Sequence, residues 1–160
     1  MRMPAAPKYP SESVTEMVQV VLPNDANPLG FMLGGAVMHL IDIAAAIAAF
    51  RHSRAPMVTA AVDGLEFLNP IKVGDFIVLN ARVTATFKTS LEVEVLVFSE
   101  EALTGRRQLT SRAYLIFVTL VRDGKREEIP QLIVTTDEER KLSADAIVRR
   151  EQHLARRAKL

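Results

Sequence analysis

Gly34-Gly-Ala-Val-Met-His-Leu-Ile-Asp42-Ile-Ala-Ala-Ala-Ile-Ala-Ala-Phe50 is the stretch that decides how this chain folds. Its Ala, Leu, Ile and Met content favours a helix, and it is apolar on every side, which predicts a buried helix. Asp42 stands near its middle, the sole carboxylate between Asp25 and Asp63. An ionisable group in apolar surroundings is unfavourable unless something pairs with it or uses it, so Asp42 reads as the reactive group. Asn27-Pro-Leu-Gly30 and the Gly34-Gly35 pair lie just upstream, giving a polar amide, a turn and a flexible helix entry. The pattern ends between Arg51 and Pro56.

On either side the chain reads as strands. Thr15 to Val21 is β-branched and stops at Pro23. Met57 to Leu68 begins a second run; after Asn69-Pro70 and Gly74-Asp75, Ile77, Leu79, Ala81, Val83, Ala85 and Phe87 alternate with more polar neighbours. Leu91, Val93, Val95 and Val97 alternate with Ser90, Glu92 and Glu94, so one sheet face is apolar. The strand from Gln108 to Val121 is different, with Leu109, Ala113, Leu115 and Phe117 on one face and Tyr114, Ile116, Val118 and Leu120 on the other. Both faces call for cover: the helix on one and, on the other, a second copy of the chain. Asp137 to Leu160 reads as a charged helix with Leu142, Ala146, Ile147, Arg150 and Leu154 near one face; its basic end, Arg149-Arg150 through Arg156-Arg157 and Lys159, reads as part of a solvated helix lying over the oligomer, with contact to a ligand phosphate as the alternative.

Length and composition exclude several functions. At 160 residues the chain makes one domain, and a formal net charge of +1 gives no field for nucleic acid or an anionic membrane. The absence of cysteine excludes disulfides, thiol catalysis and thiolate metal sites; His39, His52 and His153 are too dispersed for a local metal motif. The start, Met-Arg-Met-Pro-Ala-Ala-Pro-Lys, has no apolar signal region, and the apolar helix reads as shorter than the ~20 residues that span a bilayer. A cytoplasmic protein without membrane insertion is expected.

The order of elements, together with Leu22-Pro-Asn-Asp-Ala-Asn-Pro-Leu-Gly30, Gly34-Gly35, Met38-His-Leu-Ile-Asp42, Arg51-His52, Val58-Thr-Ala60, Phe67-Leu-Asn-Pro70 and Val73-Gly-Asp75, resembles the acyl-coenzyme A (CoA) thioesterases of the hotdog fold. These include the bacterial acyl-CoA thioester hydrolases and the brain-type cytosolic acyl-CoA hydrolase. The resemblance implies an α+β fold, a curved antiparallel sheet wrapped around one central helix, with an extra C-terminal helix. With the Pro-rich, polar start read as a flexible arm (1–13) and the charged end as a C-terminal helix (136–160), the hotdog domain occupies 14–135. The resemblance also implies a homodimer at minimum, and a hexamer built as a trimer of dimers, with Asn27 of one subunit facing Asp42 of another. Leu33 departs from the family's usual Phe before the Gly pair, a change that bears on the acyl pocket.

The implied reaction is hydrolysis of an acyl-CoA thioester to fatty acid and CoA. The first turn of a helix holds N–H groups without intrahelical partners, so Gly35, with Gly34 setting the turn, is the expected oxyanion donor. Asp42 is the expected base on water or the direct nucleophile, and Asn27 orients the water or carbonyl. An Asx turn at Asn27 and a buried internal partner for Asp42 are the purely structural alternatives. Lys88, Thr89, Ser90 and Arg112 are expected at the CoA phosphates, and Ala44, Ala45 and Ala48 beside the acyl chain. Neither a cofactor nor a metal is expected. His39 reads as an interface contact, His52 as a charged helix-end cap, His153 as solvent-facing, and Asp63 and Glu66 as rim charges. A hotdog hydratase would need a better placed His than His39. A non-catalytic acyl-CoA sensor would be expected to carry a DNA-binding segment before Thr15.

Overall fold

The computed structural model describes residues 5–160, and the chain order is that of the sequence reading. Strand β1 (Thr15–Val20) is followed by helix α1 (Gly34–Ser53). The strands β2 (Met57–Phe67), β3 (Phe76–Thr86), β4 (Ser90–Glu100) and β5 (Arg107–Thr119) come next. A small hairpin of β6 (Val121–Arg122) and β7 (Lys125–Arg126) precedes helix α2 (Asp137–Arg157). The main sheet is antiparallel in the order β1-β3-β4-β5-β2, so β1 and β2 are its edges. This is the expected hotdog arrangement.

Helix α1 packs on the inner face of the sheet. Ala44, Ala45, Ala48 and Ala49 are fully buried, and their small side chains let the helix sit close to Leu79, Val93, Val95, Leu115 and Phe117. Arg54 ends the helix by turning left-handed (φ 49°) while its N–H bonds the Phe50 carbonyl at 2.8 Å. The segment has 20 residues, so the expectation that it is too short to cross a bilayer does not hold. The sheet that covers one side, not its length, marks it as a core helix.

The other side of α1 overturns a second expectation. Met38, His39, Asp42 and Phe50 are exposed in the protomer, so the helix is buried on one face only. Apolarity all round has a different cause here: one face meets the sheet and the other is left for a partner surface.

Helix α2 lies across the outer face. It starts at Thr136, whose hydroxyl accepts from Glu139 N–H at 3.1 Å, while the Glu139 carboxylate accepts from Thr136 N–H at 3.2 Å. This reciprocal cap fixes the helix start. Ala146 is buried and Leu142 partly so; Ile147 is exposed, and the half-exposed Leu154 lines a cleft between the helix and the sheet. Charged groups make the main anchors. Glu92 is 1% exposed, takes 2.7 and 3.0 Å bonds from Arg149, and accepts Thr84 Oγ1 at 2.7 Å. Arg149 also lies 3.6 Å over the Tyr114 ring, and Arg82 bridges Glu94 to Glu138 in the first turn of α2. Desolvation opposes the charge of Arg149, but the bonds and charge of Glu92 outweigh it and hold its pKa above the ordinary arginine value. The second face of β5 is thus covered in part by this chain's own α2.

Residues 1–4 of the expected loose arm lie outside the described residues. The remainder is anchored, because Lys8 exchanges backbone bonds with Gln131 and Ile133 at 2.9 and 2.8 Å, and Ser13 is fully buried.

Candidate active site

The loop before α1 is built around Asn27. Its side-chain Oδ1 accepts the N–H groups of Leu29 (3.0 Å) and Phe31 (3.2 Å), and its own N–H bonds the Phe31 carbonyl at 2.8 Å. Gly30 (φ +84°) supplies the left-handed residue that closes the turn. Met32 and Val73 N–H groups tie the loop to Ile71 and Gly30 carbonyls. The structural role weighed for Asn27 is therefore real, and its acceptor is used by the loop. Its Nδ2 group makes no hydrogen bond to the described residues and remains a donor.

Helix α1 begins at Gly34 with Leu33 at the cap position and no side chain satisfying its first N–H groups. A Cβ on Gly35 would meet open space, whereas one on Gly34 would touch the Phe67 ring at 3.4 Å. A cleft of about 350 Å³ opens here, lined by Asn27, Gly34, Val37, Phe67 and Ile71 among others. Uncapped N–H groups, the free Asn27 amide and an apolar cleft thus meet at one point. That combination suits a polarised carbonyl on an apolar chain.

Asp42 is carried on the outward side of α1, where Thr59 Oγ1 on β2 donates to its Oδ1 at 2.7 Å. Seven residues separate it from Gly35, about 10 Å along the helix axis. One protomer cannot bring this carboxylate and its own helix N-terminus to the same carbonyl carbon.

The remaining expected residues divide. Ala44, Ala45 and Ala48 are sealed against the sheet and leave no acyl channel; the apolar cleft is at Val37 and Phe67 instead. Lys88 pairs with Glu128 at 3.5 Å on the surface, while Thr89 and Ser90 line a separate cleft on the outer face. Arg112 pairs with Leu96 in the ladder, six residues along β5 from the Val118 partner of Ser90. That is about 20 Å away, so one protomer does not gather these groups. His52 is not a charged cap. It is fully buried, its Nε2 lies 2.8 Å from the Pro130 carbonyl, and burial pushes its pKa down. His153 lines the outer cleft, and Asp63 is bound to Arg156 at 3.3 Å. Among the described residues no His/Cys/Asp/Glu cluster could hold a metal. Thr59 was missed by sequence reading; it follows Val58 in a quoted motif, but nothing local shows that it faces α1.

Comparison with known proteins identifies the family and the fold. Residues 29–105 match the Thioesterase superfamily model. An uncharacterised acyl-CoA thioester hydrolase of Bacillus subtilis is 37% identical over 89% of this chain and 83% of its own length. The mouse cytosolic acyl-CoA thioester hydrolase is 35% identical over 84% of this chain, which spans only 36% of that longer protein. An apo-hexameric acyl-CoA thioesterase superimposes with a TM-score of 0.90 at 38% identity, covering 96% of this chain and 99% of its own. The Staphylococcus aureus acyl-CoA hydrolase, solved with butyryl-CoA, CoA and CoA disulfide, gives 0.87 at 36% identity over 95% and 93%. Fold and relatives thus define a hotdog thioesterase. More narrowly, the chain belongs to the acyl-CoA thioester hydrolase family.

Proposed function

We propose that this protein hydrolyses acyl-CoA thioesters to a carboxylic acid and CoA, at a site completed by two subunits. The observation that carries the reading is Asp42, held outward by Thr59 and beyond reach of its own helix N-terminus. In a dimer, Asp42 of one protomer faces Asn27 and the Gly35 N–H of the other. The exposed apolar residues around it, Met38, Phe50, Val62 and Phe67, supply surface for that contact.

Asp42 removes a proton from water as the oxygen attacks the thioester carbon, or adds directly to give an anhydride that water opens. The Gly35 N–H and Asn27 Nδ2 receive the developing oxyanion, and the bond to sulfur breaks to release the CoA thiolate, which takes up a proton. This needs water, a base and donors, and we assign no cofactor. Thr59 fixes the carboxylate orientation. The Staphylococcus aureus hydrolase supports this set, since variants replacing an Asp, an Asn and a Thr by Ala have been solved, spaced along that chain as Asp42, Asn27 and Thr59 are here. Lys88, Thr89 and Ser90 remain proposed CoA contacts from one subunit, with Arg112 supplied by another. The hexameric relative supports a hexamer for this chain, which we take to be a trimer of dimers, and the mouse relative's cytosolic description supports a cytoplasmic location.

The test is hydrolysis of an acyl-CoA panel. Asp42→Ala is expected to lose about 100-fold or more in kcat, and Asn27→Ala a comparable amount for its oxyanion donor. Thr59→Ala should lose less. A fully active Asp42→Ala protein, or an active monomer at high dilution, would end this reading.

A further inference from the structure

Among the described residues, buried hydroxyls are hydrogen-bonded with one exception. Ser13, Thr15, Ser53, Thr84, Thr110 and Thr119 each donate to an oxygen of the chain, at 2.7 to 3.5 Å. Ser111 is 1% exposed, and its hydroxyl makes no hydrogen bond to the described residues. It lines the cleft beside the start of α1. On β5 it shares the inner face with Ala113 and Leu115, and its partner across the ladder is Phe67, whose ring would touch a Cβ on Gly34. Side chains of such a pair stand on one face about 5 Å apart, so Phe67 connects the hydroxyl to the Gly34-Gly35 entry. Asn69 lines the same cleft. Its Nδ2 donates to the Leu109 carbonyl at 2.9 Å, which leaves its Oδ1 as an acceptor without a partner among the described residues.

The rest of the lining is largely apolar, with Val37, Phe67, Leu68 and Ile71. In such a cleft a few fixed polar groups decide which ligand is accepted. A plain methylene chain filling it would strand the Ser111 hydroxyl away from any partner, which is unfavourable, whereas a hydroxyl on the chain satisfies it. The groups present narrow the choice further, because Ser111 both donates and accepts while Asn69 Oδ1 only accepts. A ketone on the chain can take the Ser111 bond alone; a hydroxyl can accept from Ser111 and donate to Asn69. The volume of about 350 Å³ is at the lower end for small-molecule sites, and the sealed Ala44, Ala45 and Ala48 give the cleft no extension under α1. We infer that the acyl pocket selects a short hydroxyacyl chain, with Ser111 as the selecting residue and Asn69 as its second contact. This names the substrate class of the hydrolase site and rests on the function proposed above.

Steady-state kinetics on the full chain with butyryl-CoA, 3-hydroxybutyryl-CoA, acetoacetyl-CoA and octanoyl-CoA test this selection. The wild type should hydrolyse 3-hydroxybutyryl-CoA with a kcat/KM about tenfold above that for butyryl-CoA, with acetoacetyl-CoA between them and octanoyl-CoA lowest. Ser111→Ala should lower kcat/KM for the hydroxy substrate by about tenfold and raise it for butyryl-CoA, so that the preference is lost or reversed. Ser111→Thr keeps a hydroxyl on the strand and should keep the wild-type order. The ratio of two kcat/KM values does not depend on what fraction of a variant is folded, so loss of active protein does not imitate this result. A wild type that favours butyryl-CoA or octanoyl-CoA or treats all four alike, or a Ser111→Ala protein with the wild-type ratio, overturns the inference and leaves the thioester hydrolase standing. A wild type inactive on every thioester overturns both.

Discussion

The two faces of the sheet are both covered by a helix, yet by opposite chemistry. Under α1 the contact is apolar and close, with alanines seated on Val, Leu and Phe side chains. Under α2 it is ionic, with the carboxylates of Glu92 and Glu94 buried and answered by Arg149 and Arg82. The inner face stabilises the fold through area removed from water, whereas charges on the outer face lose hydration and regain it through geometry. An ionic contact of that kind fixes where α2 sits more than how strongly it sits, and this leaves a cleft beside it.

The largest test of the contrast is on the inner side. Phe117→Ala should lower the unfolding free energy by about 3–5 kcal/mol in urea titration, because a buried ring leaves a cavity. On the outer side, Arg149→Met should cost about 3 kcal/mol by stranding the buried Glu92. The double variant Glu92→Met/Arg149→Met should return to within about 1 kcal/mol of the parent, and failure to recover would show that the ion pair itself stabilises.

A smaller effect comes from His52, which lies at the end of α1 with Nδ1 buried and unpartnered among the described residues. Its folded pKa is lowered by burial, so below the ordinary value of about 6.5 the unfolded chain binds a proton that the folded chain does not. Stability should therefore fall as pH drops below about 6.5, by at most about 1.4 kcal/mol per unit from this group. His52→Leu should flatten that part of the pH–stability curve. The smallest change is at the border of α2, where Thr136→Ala should lower thermal stability by about 1 kcal/mol through loss of the cap.

Alternation in β3 and β4 told which residues share a face, and the structure kept that division up to Val83; there a bulge shifts the register, so Ala85 stands opposite Glu92 and Phe87 lies under Arg150 on the outer face rather than with Ile77 and Leu79. The pattern did not tell what covers the face: Glu92 and Glu94 read as outward and are outward, but α2 lies over them. In α1 the reverse holds. Its composition called for burial, but a helix apolar all round carries no sign of which side meets its own sheet, so Asp42 was expected inside and stands outside. Asn27, Gly34, Gly35 and Asp42 could be picked from local features because turns, helix starts and misplaced charges are local. Thr59 could not, since its meeting with Asp42 depends on the register of β2 against α1.

Periodicity and composition alone set the order of elements, the apolar helix, the glycine entry and the lone carboxylate, because each is dictated by neighbours along the chain. Tertiary structure alone decided that Asp42 faces away from the sheet, that Ala44, Ala45 and Ala48 are sealed, and that the arginines of α2 gather over an apolar floor. Those outcomes depend on how distant segments pack, and packing is chosen by shape, volume and charge compensation in three dimensions.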